Sequence, residues 1–235
     1  MKTDSLSTDY ELACGFECDL YLLQPDELPD IPISDSYPES YASPLVEFPI
    51  SFNDTHKKLG LTCTAASILD SMRSLTLSIT LLPPTANDSQ AAIIQNRASQ
   101  IHANLASLPN NYSSLSTSSE NIYTVIYLTA LAYTSCISSG RLFNDAYTPS
   151  ERSNLHKHIN LVPLKTWKKI PGIYLWILLV ACPGLRFHAP LLLKSHVRAT
   201  SLYISFTDFG LAVGCLKGFW RAIMWIKGLS KEGRG

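Results

Sequence analysis

The stretch Trp167-Lys-Lys-Ile-Pro-Gly-Ile-Tyr-Leu-Trp-Ile-Leu-Leu-Val-Ala-Cys-Pro183 is too apolar for a solvent-facing helix and short for a membrane span. Crossing a bilayer takes roughly 20 apolar residues, and Pro171-Gly172 and Pro183-Gly184 interrupt the run at its two ends. We therefore expect the stretch to lie in the core of a helical domain. Because Pro171 has no amide hydrogen for a continuing helix, a kink or a restart is expected there.

The composition is that of a folded domain. The chain has 235 residues, of which 46% are hydrophobic and 16% charged, so it can bury a large core and is too apolar to be disordered throughout. We predict one all-α domain of about six to eight packed helices over residues 56–229. An irregular, acidic, proline-rich arm is predicted over residues 1–55, and a flexible tail over residues 230–235.

The charges are unevenly distributed although the formal net charge is zero. Residues 1–54 hold twelve acids and one base, whereas residues 151–235 hold three acids and thirteen bases. This split is typical of an acidic interaction tail with a basic face for an anionic partner, or of two ends of one fold that attract each other.

Hydrophobic periodicity predicts the first three helices. The first covers about residues 59–82 and is stopped by Pro83-Pro84. The second begins at the caps of Asn87-Asp-Ser, ends at Pro109, and should pack on the first as an antiparallel pair. The third covers residues 121–139, follows the capping-box spacing Thr117-x-x-Glu120, and is closed by Gly140.

The remaining segments predict a short helix over residues 149–159 and two longer helices after the apolar stretch. One starts at Pro190 and offers Leu193, Val197, Tyr203 and Phe206 for burial. The other is capped by Thr207 and runs to about Leu229. In it Gly210, Gly214 and Gly218 recur every four residues, which favours close approach of another helix, and Phe219, Trp220, Ile223 and Ile226 supply apolar contacts.

No motif in the chain indicates a reaction. Asp208-Phe-Gly210 matches a kinase tripeptide without the accompanying glycine-rich and catalytic loops, and is interpreted as coincidence. His156-x-His158 is expected in a solvated loop, and Cys14-x-x-x-Cys18 lacks two further metal ligands. We predict a protein that is not an enzyme, without catalytic, cofactor-binding, metal or DNA-binding residues. A dispersed site, with His156, His158 and a carboxylate around a buried cleft, is the alternative.

The six cysteines are expected to be small buried hydrophobic residues; they lie at positions 14, 18, 63, 136, 182 and 215. No secretory signal opens the chain, so a reducing, intracellular compartment is expected.

The acidic arm and the later basic residues are the two candidate interaction features. Residues 17–31 mix acids with bulky apolar residues, as amphipathic activation segments do; the alternative is an arm that packs on the chain's own helices. The basic residues are spread over three helices without an aromatic reading platform, which indicates a solvated rim and no direct nucleic-acid contact. They are Lys165, Lys168, Lys169, Lys194, Arg198, Lys217, Arg221 and Lys227.

Three passages together resemble the C-terminal regulatory region of fungal zinc-cluster transcription factors, the fungal-specific transcription factor domain. They are Ala65–Thr76, the run Arg97-x-x-x-Ile101-x-x-x-Leu105-x-x-Leu108-Pro109, and Trp167–Pro183 followed by Asp208–Trp220. The resemblance covers most of residues 44–227. It implies an all-helical domain that controls an attached DNA-binding module, responds to effectors or contacts other regulators. Residues 1–54 do not supply the tight six-cysteine array of the zinc cluster.

The resulting hypothesis is a transcription-factor-like regulatory domain in the nucleus, without its own DNA-binding module. Protein partners are expected, either other regulators or a second chain in a homo- or heterodimer. The alternative is a membrane-associated helical protein that uses residues 121–139 and 170–185.

Overall fold

The computed structural model describes residues 30–34, 37–83, 88–108, 118–146, 148–182 and 191–232, and these contain helices and no strand. The predicted all-α class is therefore confirmed. Within these ranges, eight helices have at least eight residues and two have four. A 3₁₀ turn at Glu39–Tyr41 precedes helices α1 Phe52–Leu59, α2 Cys63–Thr80, α3 Asp88–Ala106, α4 Ser118–Ser139, α5 Phe143–Ala146, α6 Pro149–Leu161, α7 Leu164–Trp167, α8 Pro171–Ala181, α9 Leu191–Thr207 and α10 Phe209–Glu232.

Helix α8 is the centre of the core, as the apolar stretch predicts. All eleven of its residues are buried, and it contacts α4, α6, α9 and α10. The chain restarts at Pro171, which occupies the first turn of α8, where an amide hydrogen is not needed. Just before it, the ring of Trp167 stacks on Tyr174 with centroids 4.6 Å apart.

The first predicted helix is two helices in the structure. Gly60 ends α1 with φ 69°, a left-handed conformation that favours glycine, and Thr62 then caps α2 by accepting the amide hydrogen of Ala65. The start of α1 is held by Asp70 of α2, whose carboxylate accepts the amides of Phe52 and Asn53.

Helices α2, α3 and α4 form a layer of neighbouring helices. Arg97 of α3 donates to Ser74 and Ser78 of α2, in agreement with the predicted pair. The more extensive contact is between α3 and α4, which run antiparallel. Gly140, with φ 62°, follows the last residue of α4 as predicted. The predicted boundary residues Asn87, Pro109, Thr117 and Pro190 lie outside the described residues.

The predicted short helix is confirmed as α6. A full capping box starts it: the Thr148 hydroxyl accepts the amide of Glu151, and the Glu151 carboxylate accepts the amide of Thr148. The sequence Thr148-Pro-Ser-Glu151 has the spacing for this cap.

The described part of the N-terminal arm packs on the domain, and we call residues 30–34 and 37–50 the strap. Its residues Tyr41–Val46 are buried. Arg73 of α2 holds the end of the strap, because its Nη1 donates a hydrogen bond to the carbonyl of Ile50 at 3.0 Å. The same guanidinium lies 4.1 Å from the ring centroid of Phe52, the first residue of α1.

Among the described residues, the strap and not a second helix fills the glycine seam of α10. A Cβ added at Gly210 would lie 2.3 Å from the carbonyl oxygen of Pro32, and one at Gly218 would lie 2.1 Å from that of Leu45. Gly214 faces Ile33. The prediction that a helix approaches this seam was wrong, because non-helical backbone of the strap, including the turn at Leu45, occupies the same clearance.

The cap of α10 also differs from the prediction. Asp208, and not Thr207, accepts the amide of Leu211 through Oδ1, while Oδ2 accepts the amide of Ser34 in the strap. Thr207 ends α9 instead and donates its hydroxyl to Tyr41. The apolar residues of α10 that were predicted to supply contacts are all buried; they are Phe219, Trp220, Ile223 and Ile226.

An ion pair joins the acidic and basic parts of the chain. Asp30 in the strap contacts Lys217 of α10, and the hydrogen bond from Lys217 together with its charge lowers the pKa of the Asp30 carboxyl. Lys58 and Glu39 form another pair, 3.0 Å apart.

Candidate interaction surface

Helix α9 is apolar on both of its sides. Leu193, Val197, Thr200 and Ile204 follow one helical stripe and are buried. On the opposite side lie large apolar side chains with more than half of their surface exposed. We call these residues the α9 face; they are Leu191 (69% exposed), Leu192 (55%), Leu202 (58%), Phe206 (89%) and, in the first turn of α10, Phe209 (56%).

The predicted burial on this helix was half correct. Leu193 and Val197 are buried, but Tyr203 and Phe206 are 45% and 89% exposed. The reason is geometric: the buried stripe continues through positions 200 and 204, and positions 203 and 206 point away from it. Tyr203 lies at the edge, where its ring stacks on Tyr41 of the strap with centroids 5.9 Å apart.

The middle of the α9 face is lined by small residues. Ser195 and Ala199 are exposed and one helical turn apart, between the leucines at the start of α9 and the large residues near its end. Lys194 and Arg198 follow one side of this row. The face therefore has two bulky apolar ends, a low centre and a basic flank.

The predicted basic rim agrees with the structure at most positions. Six of the eight basic residues are exposed and Lys194 is intermediate. Lys217 differs because its side chain is only 13% exposed and pairs with Asp30.

The two histidines named for the alternative catalytic site lie on one helix in the structure. His156 and His158 lie on α6 and not in a loop, and residues two apart point in divergent directions on a helix. His156 donates Nε2–H to the carbonyl of Ala181 at 3.0 Å. Within the described ranges, no group of three or more His, Cys, Asp or Glu side chains is placed to hold a metal ion.

A different histidine lines an open cleft between α3, α4 and α6. The cleft has a volume of about 360 Å³ and its lining includes His102, Tyr127, Ser135 and Glu151. The Nδ1–H of His102 points to the carbonyl of Leu131. One carboxylate oxygen of Glu151 accepts both the amide and the hydroxyl of Thr148, and these bonds lower its pKa. Glu151 therefore acts as a helix cap at the cleft rim.

The cysteines partly match the prediction. Cys136, Cys182 and Cys215 are buried, but Cys63 is exposed at the start of α2. Burial raises the pKa of the thiols of Cys182 and Cys215 to about 12. Cys14 and Cys18 lie outside the described residues.

We expect iodoacetamide at pH 8 to modify Cys63 at least about a hundredfold faster than Cys182 or Cys215, because alkylation requires an accessible thiolate. Peptide mass spectrometry of the native protein measures each rate. The modification rates in the denatured protein serve as the reference for each cysteine. Equal rates at Cys63 and Cys215 in the native protein would show that Cys215 is accessible to solvent and that α10 is not packed as described.

Within the described part of the chain, two helices are long and apolar enough to cross a membrane, Glu120–Ser139 and Phe209–Leu229. The first coincides with the predicted candidate over residues 121–139. The second candidate, over residues 170–185, contains α8, which has only eleven residues. In the two long helices 67% and 61% of the apolar window is buried inside the domain, as in core helices of a soluble protein.

No family model, no curated protein and no solved structure matches the chain.

Proposed function

We propose that this chain is a non-catalytic regulatory domain of the transcription-factor type, which acts in the nucleus and binds other regulatory proteins through the α9 face. It has no DNA-binding module of its own in this proposal and depends on its partners for contact with DNA. The observation that carries the proposal is the α9 face itself, five large apolar side chains that are each more than half exposed.

Physical chemistry supports an interaction role for such a surface. Apolar side chains exposed together, beside polar and charged residues, are typical of protein–protein contact sites, and large side chains such as phenylalanine are enriched at their centres. The resemblance to the fungal regulatory region supports the transcriptional part of the proposal.

A reporter assay tests this function. We expect the chain, fused to an unrelated DNA-binding domain, to change reporter transcription relative to that DNA-binding domain alone. Phe206→Glu should remove at least about four-fifths of this change, because it places a charge in the apolar contact. Ile93→Glu is the matched control, since Ile93 is 63% exposed on α3. A fusion without effect, or equal effects of the two variants, would contradict the proposal.

The membrane-associated alternative is supported only by the length and hydropathy of Glu120–Ser139 and Phe209–Leu229. Fractionation of the untagged protein separates the two functions. The regulatory proposal requires recovery in detergent-free buffer, and recovery only in detergent would favour the membrane alternative.

A further inference from the structure

The open cleft between α3, α4 and α6 has the shape and lining of a small-molecule site. Helix α4 contacts both α3 and α6, and its residues 128, 131, 132 and 135, which share one helical face, line the cleft between these two walls. The volume of about 360 Å³ is within the range of known ligand clefts. Much of the described lining is apolar and comes from Ala106, Leu128, Leu131, Ala132, Ala146 and Leu155.

His102 of α3 supplies a hydrogen-bond acceptor to the cleft. Its Nδ1 lies 3.2 Å from the carbonyl oxygen of Leu131 and 3.0 Å from Oγ1 of Thr134. Because a carbonyl oxygen only accepts, Nδ1 carries the hydrogen, and Nε2 of the neutral ring keeps a lone pair. Nε2 forms no hydrogen bond with the described residues. It is therefore available to a donor group of a ligand.

Glu151 of α6 supplies a negative charge to the same cleft. Its Oε2 accepts the amide and the hydroxyl of Thr148, and these bonds lower the pKa of the carboxyl, so Glu151 is ionised at neutral pH. In the described part of the chain, Oε1 has no hydrogen-bond partner and the carboxylate forms no ion pair with a base. The described lining contains no lysine or arginine. The cleft therefore offers a negative charge and an acceptor to a ligand with a positive charge and donors.

From the cleft and these two side chains, we propose that it binds a small molecule that carries a protonated amine on an apolar body. The amine lies on Oε1 of Glu151, a second donor group of the ligand donates to Nε2 of His102, and the apolar body contacts the leucines and alanines. An anionic ligand is disfavoured by the charge of Glu151. A metal ion is disfavoured because no described group of three or more His, Cys, Asp or Glu side chains is placed to hold one. The site is separate from the α9 face and does not depend on the proposed function.

Tyramine is the probe, because it has an ammonium on one end of an aromatic body and a hydroxyl on the other. Titration of the full chain followed by NMR chemical shifts compares it with two analogues. Para-hydroxyphenylpropanoate has a carboxylate in place of the ammonium, and phenethylamine lacks the hydroxyl. At about 50 mM salt, where charges are only partly screened, we expect tyramine to bind at least about tenfold tighter than the acid. It should bind about threefold tighter than phenethylamine, because the hydroxyl adds one hydrogen bond.

Two variants test the polar contacts. Glu151→Gln removes the charge but keeps the helix cap, since glutamine also serves at this position of a capping box. It should weaken tyramine at least about fivefold and remove most of the preference over the acid. Glu39→Gln makes the same change in the strap and should alter binding less than about twofold. His102→Asn keeps a donor for the carbonyl of Leu131 and removes Nε2, so tyramine and phenethylamine should then bind about equally.

A steric pair of variants locates the site. Ala103 and Ala106 are both exposed on α3, and of these two only Ala106 lines the cleft. Ala106→Trp should fill the cleft with an indole ring and weaken tyramine at least about tenfold. Ala103→Trp is the matched control and should change binding less than about twofold. Circular dichroism confirms that each variant is folded.

Three results would overturn the proposal. They are no binding of tyramine to the wild-type chain, equal binding of tyramine and the matching acid, and unchanged binding of tyramine by Glu151→Gln and Ala106→Trp. None of them bears on the α9 face, because the reporter assay measures that surface with the cleft intact.

Discussion

We expect Gly218→Ala to lower the free energy of unfolding by about 3 kcal/mol or more, a large part of the stability of a single domain. The added Cβ would lie 2.1 Å from the carbonyl oxygen of Leu45, a distance that van der Waals contact does not allow. The obstacle is backbone and not the end of a flexible side chain, so relief requires the strap to move off α10. Such a shift exposes the buried residues Leu45 and Val46.

Gly228→Ala on the same helix is the matched control. A Cβ there meets nothing within 4 Å, and alanine is the better helix former by about 0.5–1 kcal/mol, so this variant should be slightly more stable than the wild type. Urea unfolding followed by circular dichroism measures both. Equal stability of the two variants would show that the strap does not lie on the glycine seam.

Trp176→Ala should lower the free energy of unfolding by about 3–5 kcal/mol, as truncation of a large buried aromatic residue does. Trp176 is fully buried in α8, with its ring edge-on to Tyr133 at a centroid distance of 6.2 Å. The loss combines removal of apolar surface from the core with a cavity that the neighbouring helices fill only in part.

Two further variants make the result specific. Trp225 lies at a partly buried position of α10. Trp225→Ala should lower the free energy of unfolding by less than about half as much as Trp176→Ala, because less apolar surface is removed from the core. Trp176→Phe should also be mild, below about 1.5 kcal/mol of unfolding free energy. The buried Nε1–H of Trp176 finds no hydrogen-bond partner among the described residues, and phenylalanine removes that donor. If Trp225→Ala proved the more damaging tryptophan truncation, α8 would not be the centre of the core.

The central helix could be predicted from sequence because its apolar residues, its prolines and its length all indicate the same structure. Gly140 and the caps of α6 are similarly local signals, carried by residues within one turn of the helix end. The split at Gly60 was missed because the apolar period continues across it, and only the left-handed conformation of this glycine interrupts the helix.

The position of the strap could not be predicted because its contacts are distant in sequence. Pro32 and Leu45 meet glycines of α10 more than 170 residues later, and a proline-rich irregular segment has no hydrophobic periodicity from which its contact surface could be predicted. The glycine spacing correctly indicated close approach, but it does not distinguish the backbone of a helix from that of an irregular segment.

The α9 face was missed for a different reason. When a helix carries apolar residues on two sides, its composition predicts that both sides are buried. The helical period alone does not decide which of the two sides packs against the core. Phe206 looks like a core residue in the sequence and is 89% exposed in the structure. Only the packing of α9 against α8 and α10 shows which apolar stripe is left exposed.

The central claim is that the apolar helices bury their surfaces against one another in water and leave the α9 face outside. Hydrogen–deuterium exchange of the full chain in detergent-free buffer tests it most directly. We predict that amides of α8, where all eleven residues are buried, exchange slowest, and that amides of α9 exchange faster. Exchange of α8 as fast as that of α9, or a chain that gives protected amides only in detergent, would contradict the account.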